Sequence, residues 1–184
     1  VQLDHLFDIH VVKVWNDYNN KYNTRPSSIN PKLYRDIELV DGQSTINIAS
    51  GDSTLDYHGM HEYYDGQYDV ELAPIQCPAA NNTTVECYTT EKSYDADTHT
   101  YTFTSTLNTT NITVKKVWED YDNTYGLRPE NVDFTLKYGS DEIDTKNLTI
   151  TGNQDQFNFS DIPTHLVDGH DVILTPFSEN YTTR

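Results

Sequence analysis

The chain has 184 residues, 35% of them hydrophobic, a composition that suits two small domains better than one large core. Lys and Arg number 12 against 29 Asp and Glu, a formal charge of −17; a field of that sign repels phosphate backbones and argues against nucleic acid as a partner. No stretch approaches the roughly 20 apolar residues of a membrane span, so no membrane insertion is expected of this segment.

Fourteen Tyr and abundant Thr and Asn favour strands and turns over helices, and the chain reads as all-β. In chain order, the first strong signal is VKVWNDYNNKYNTRPSSI at residues 12–29, which returns as KKVWEDYDNTYGLRPENV at residues 115–132, 103 positions on and without a gap. The pairs Lys13/Lys116, Trp15/Trp118, Asp17/Asp120, Tyr18/Tyr121, Asn20/Asn123, Tyr22/Tyr125, Arg25/Arg128 and Pro26/Pro129 are identical. Repetition of this kind marks a modular unit. Later landmarks follow: Asp69-Val70 matches Asp171-Val172 and Leu72-Ala73-Pro74 matches Leu174-Thr175-Pro176 with a one-residue slip, and Cys87-Tyr88-Thr89-Thr90 matches Asn180-Tyr181-Thr182-Thr183 at a shorter offset.

Between these landmarks, Tyr57, Tyr63 and Tyr64 form an aromatic cluster present only in the first copy, and His58 and His61 lie close together without a metal-ligand pattern. Cys77 and Cys87 flank a Pro/Asn/Thr turn and read as a β-hairpin stapled by a disulfide, with two buried free thiols as the alternative. A turn at Asp95-Ala96-Asp97 leads into the alternating run Thr100-Tyr101-Thr102-Phe103-Thr104-Ser105-Thr106, expected to be a strand with one buried face. Asp120, Asp122 and Gly126 have a faint calcium-loop spacing, but the first copy has Asn23 at the glycine position, and a polar turn is the simpler reading. Seven Asn-X-Ser/Thr sequons, at Asn81, Asn82, Asn108, Asn111, Asn147, Asn158 and Asn180, are glycosylation candidates in an exported protein.

The repeated Lys-Val-Trp-x-Asp…Arg-Pro element, with Asp161-Ile162-Pro163, the Asp-Gly pairs and the Tyr-Thr-Thr close, resembles the Cna-B-type (prealbumin-like) domain of prokaryotic surface adhesins and pilins. The resemblance implies two tandem Greek-key-like β-sandwich domains. Residues 1–8 would end a preceding repeat or linker, 9–107 form domain 1, and 108–184 form domain 2 without its last strand in this chain. It also implies an intramolecular isopeptide bond from a first-strand Lys to a last-strand Asn, assisted by a buried Glu. Lys13 and Lys116 match the Lys, but Leu72 and Leu174 stand at the Glu position and Ser105 at the Asn position, with Asn108 reached only by a three-residue slip. A Leu moves no proton and a Ser offers no carbonyl to attack, so loss of the crosslink is expected. Lys13 and Lys116 are then expected either to reach solvent or to pair with a carboxylate, because an unpaired buried amine is costly.

No catalytic constellation, metal site or cofactor motif is recognised, and no enzyme is expected. The reading is a structural stalk repeat of a secreted, extracellular cell-surface adhesin-like protein. Its partners would be neighbouring repeats or protomers, with a host or cell-surface ligand also open. The alternatives are a pilus-like filament subunit completed by strand donation and a direct ligand-binding adhesin module.

Overall fold

The computed structural model describes residues 5–62, 67–175 and 181–183. The chain divides into two compact units, Val1–Asn108 and Thr109–Arg184, each with its own apolar core.

In unit 1, β1 (Leu6–Asn16) alternates inward Ile9, Val11 and Lys13 with outward His10 and Val14, the period of a half-buried strand. It pairs antiparallel with β4 (Thr54–His61) on one side and parallel with β9 (Thr100–Leu107) on the other. The β9 strand also pairs with β8 (Tyr88–Asp95), completing a four-stranded sheet in the order β4-β1-β9-β8. The expected alternation is present: Tyr101, Phe103, Ser105 and Leu107 of β9 all face inward.

Against it packs a three-stranded sheet in which β2 (Lys32–Arg35) lies between β3 (Glu38–Asp41) and β5 (Tyr68–Glu71). Ile9, Val11 and Phe103 from one sheet meet Leu33 and Val70 from the other, which makes the unit a β-sandwich. A short hairpin, β6 (Gln76–Pro78) with β7 (Thr84–Glu86), carries the cysteines to the core: Cys77 and Cys87 are bonded to each other, 5.8 Å apart at Cα, and both are buried.

Unit 2 repeats the plan. β10 (Thr109–Val117) pairs antiparallel with β13 (Gln154–Pro163), as β1 does with β4. β11 (Asn131–Tyr138) lies between β12 (Asp141–Thr149) and β14 (His170–Thr175), as β2 does between β3 and β5. The register confirms the equivalence: Val70 lies opposite Leu33 and Val172 opposite Leu136. Val132, Phe134 and Leu136 of β11 pack on Phe159 and Ile162 of β13. Among the described residues, β10 has a paired neighbour on one side only.

Candidate functional site

The residues shared by the two copies converge on one structure, built twice. After β1 the chain turns through Tyr18, Asn19 and Asn20, all with φ between 57° and 59°, and Asn23 is also left-handed at 54°. Tyr121, Asp122 and Asn123 repeat this at 55° to 57°, with Gly126 at 61°. Asn and Gly are the residues that tolerate this region, which is why they exchange at the Asn23/Gly126 position.

Side chains hold the turn. Asp17 Oδ1 accepts from Asn20 N–H at 3.0 Å and Asn20 Oδ1 accepts from Arg25 N–H at 3.2 Å; Asp120, Asn123 and Arg128 repeat both bonds at 3.1 and 3.4 Å. The Arg side chain then closes back on the Asp through two bonds. Arg25 Nε and Nη2 reach Asp17 at 2.8 and 2.7 Å, and Arg128 reaches Asp120 at 2.8 and 2.6 Å. The fork geometry of a guanidinium suits this bidentate grip, and a Lys would lose it.

A tyrosine from the Tyr-Thr-Thr close completes the cluster. Tyr88 Oη donates to Asp17 Oδ2 at 2.7 Å, and Tyr181 Oη to Asp120 Oδ2 at 2.8 Å. The Tyr rings meet the Trp rings edge-on, at 5.1 Å for Trp15–Tyr88 and 5.0 Å for Trp118–Tyr181. The guanidinium carbons stand 5.4 and 5.5 Å from the same two Trp rings.

Burial alone would raise the Asp17 carboxyl, but hydrogen bonds from Arg25, Tyr88 and the Asn20 amide, with the Arg25 charge, hold it below the usual carboxylate range. The Arg128 hydrogen bonds hold Asp120 well below that range against its burial. Burial pushes the Tyr88 phenol far up, so it stays a donor.

Asp120 is therefore spent on Arg128, not offered to a cation, and Asp122 accepts from Asn153 Nδ2 at 2.6 Å. The Asp120–Gly126 segment is a clasp with a half-buried carboxylate at its centre. Its signal in the sequence is the recurrence of Asp and Arg eight residues apart together with a distant Tyr in both copies.

Lys13 meets neither expectation, and Lys116 reaches solvent only in part. Lys13 is 3% exposed, and its Nζ donates to Val14 O at 2.9 Å and lies 3.5 Å from the centre of the Trp15 ring. Lys116 repeats this at 2.9 Å to Val117 O and 3.7 Å to the Trp118 ring, but is half-buried. A carbonyl and an indole face serve in place of a carboxylate. Burial pushes the Lys13 amine down to about 7, and lowers Lys116 as well.

Lys13 lies opposite Phe103 in the β1–β9 register. Ser105, fully buried, shares a 2.6 Å hydrogen bond with Thr90 Oγ1. Asn108 lies five residues past Phe103, roughly 16 Å of extended chain, where its Oδ1 accepts from Thr89 Oγ1 at 2.7 Å. The structure does not bring Asn108 beside Lys13. Leu72 and Leu174 pack on their respective cores, and Glu71 faces outward to accept from Lys92 at 3.1 Å.

Among the sequons, the side chains of Asn81, Asn82, Asn111, Asn147 and Asn158 are exposed, Asn108 is half-buried, and Asn180 lies outside the described residues. Tyr57, grouped in the sequence with Tyr63 and Tyr64, is a core residue whose hydroxyl donates to Pro31 O at 3.1 Å; Tyr63 and Tyr64 lie outside the described residues. His58 pairs with Asp8 at 3.0 Å and His10 with Asp56 at 2.7 Å on the outer face of the four-stranded sheet.

The chain is 32% identical over 154 residues to a collagen adhesin of Staphylococcus aureus, an alignment that covers 83% of this chain and 12% of that protein. It is similar to a crystal structure of two B repeat units of the collagen-binding protein of the same organism, at 28% identity and a TM-score of 0.50, covering 92% of this chain and 44% of that one. The family model for the Cna protein B-type domain matches residues 9–106 and 112–175, once in each compact unit. With the two β-sandwich units and their shared clasp, this places the chain in the Cna protein B-type domain family.

Proposed function

We propose that the chain is a non-catalytic spacer from the stalk of an extracellular, cell-surface adhesin-like protein. The observation that carries this reading is the clasp itself: among the residues repeated between the copies, Asp17/Asp120, Arg25/Arg128 and Tyr88/Tyr181 spend their polar groups on one another and pack against Trp15/Trp118. Repetition has kept what holds each sandwich closed. The test is to display a binding domain on one, two or four tandem copies of the chain and measure its reach from the surface. Reach growing in proportion to copy number supports the spacer; matrix binding by the bare two-unit chain at the full strength of the intact protein overturns it.

In this reading the two lysines are free amines and the disulfide is the covalent brace of unit 1. Intact-mass measurement is expected to show the loss of two hydrogens for Cys77–Cys87 and no loss of ammonia. A mass lower by one ammonia would overturn the free-amine assignment. The exposed sequons are acceptors in a glycosylating host, seen in the same spectrum as added hexose.

Among the described residues β10 is paired on one side only, which favours a second reading, completion of unit 2 by a strand from a neighbouring protomer. Light scattering across a concentration series separates the two: a monomer at every concentration removes strand donation, and an open-ended series of oligomers supports it.

A further inference from the structure

Unit 1 has a concave feature away from its clasp. At the end of the sandwich farthest from the clasp, a cavity of about 480 Å³ opens between β1, β5, β8 and β9. Phe7, Tyr68, Tyr94 and Tyr101 supply its walls. The Phe7 ring lies edge-on to Tyr68 at 5.7 Å and 4.6 Å from the His99 ring; Tyr94 stacks on Tyr101 at 4.4 Å, and is itself 49% exposed. In unit 2 the repeat offset puts Thr110 in place of Phe7, and the shared register puts His170 in place of Tyr68. At these two positions the aromatic lining is not repeated and is no requirement of the fold.

The polar groups are arranged unevenly. Tyr101 Oη donates to Tyr68 O at 2.9 Å and Tyr68 Oη to His61 O at 3.2 Å, so both inner hydroxyls are committed to the backbone. What remains toward the cavity is ring surface, with Glu62 and Gln67 at the rim. Both rim residues are exposed, and the Glu62 carboxylate has no salt-bridge partner among the described residues. On the flank, Lys92 is shared by Asp69 at 2.6 Å and Glu71 at 3.1 Å, two carboxylates to one amine, and its Nζ lies 5.6 Å from the Tyr101 ring. Arg35, opposite Tyr68 in the sheet, pairs with Glu38 at 3.8 Å. Among the described residues the neighbourhood is thus aromatic and net anionic, in a chain of charge −17.

We infer that this cavity binds a small organic cation with a methylated ammonium head group. Such a group is positively charged and apolar at once, needs no directional hydrogen bond, and is held by ring faces and a nearby carboxylate. A sugar of the same size would find the donor protons of Tyr68 and Tyr101 already given to the backbone. The site is independent of the spacer reading, since a spacer that carries it remains a spacer.

The experiment is an NMR titration of the full chain with choline, following the ring signals of Phe7, Tyr68, Tyr94 and Tyr101. Saturable shifts at these rings, with Trp118 and Tyr181 of unit 2 unmoved, are expected. The neutral isostere 3,3-dimethylbutanol is expected to bind about tenfold more weakly, and Tyr94→Ala to weaken choline by a similar factor. Glu62→Gln, a surface change that leaves the fold intact, is expected to cost about threefold. Sedimentation with phosphatidylcholine vesicles assigns the head group to a lipid; choline binding without co-sedimentation assigns it to a free solute. Equal binding of the neutral isostere, stronger binding of a methyl glycoside, or no saturable shift with choline each overturns the assignment.

Discussion

Lys13 Nζ has one hydrogen bond and one ring face in a site where burial pushes the amine down to about 7 from 10.5. Between these values the unfolded chain holds a proton that the folded chain does not, so unfolding takes up a proton and stability rises with pH, by up to about 1.4 kcal/mol per unit. Above about 10 the slope reverses, because Tyr57 and Tyr101, pushed up by burial to about 12, keep protons that the unfolded chain releases. Urea denaturation at a series of pH values is expected to show unit 1 most stable near pH 10. Lys13→Met is expected to flatten the climb and to add about 1–2 kcal/mol at pH 7, since an apolar chain of similar volume removes a poorly compensated charge. At Asp17 the sign is opposite. The carboxylate is 1% exposed and gripped by Arg25, Tyr88 and the Asn20 amide, so Asp17→Ala strands a guanidinium and costs about 3 kcal/mol, measured by the same denaturation at pH 7. The sequence made the importance of these positions visible through repetition, but not their roles. Asp17 read as turn polarity because the Tyr that completes its site is 71 residues away.

At the scale of elements, alternation made β9 legible in full, since every second residue from Tyr101 to Leu107 is buried. Its partner was not legible. Nothing local says that β9 lies parallel to β1 with Lys13 opposite Phe103, because register is chosen by the whole core. The Cys77–Cys87 hairpin was readable from two flanks around a turn, and β6 and β7 do pair across it. The bond spans a sequence separation of 10, and closing so short a loop is worth about 3 kcal/mol. Replacing both cysteines by serine is expected to lower the stability of unit 1 by about 2–3 kcal/mol, read as a fall in its denaturation midpoint. The aromatic cavity escaped sequence reading for a simple reason: Phe7, Tyr68, Tyr94 and Tyr101 come from four strands, and no spacing along the chain announces that they meet.

At the scale of the whole molecule, the family and the two units followed from one feature of the sequence, the ungapped repeat 103 residues apart. Each unit has its own core, and the disulfide belongs to unit 1 alone. Calorimetry is expected to resolve two transitions, of which a reductant lowers one and leaves the other in place. A single transition, or two that shift together, would show the units to be coupled.

The parallel pairing of β1 with β9 has a mechanical consequence. The chain enters unit 1 at the start of β1 and leaves it past the end of β9, and in a parallel pair these points lie at opposite ends of the ladder. Tension along the chain therefore loads the seven paired positions from His10↔Thr100 to Asn16↔Thr106 in shear, all together, and does not peel them one at a time. A unit wired this way resists stretching best along the line on which a surface tether would pull it.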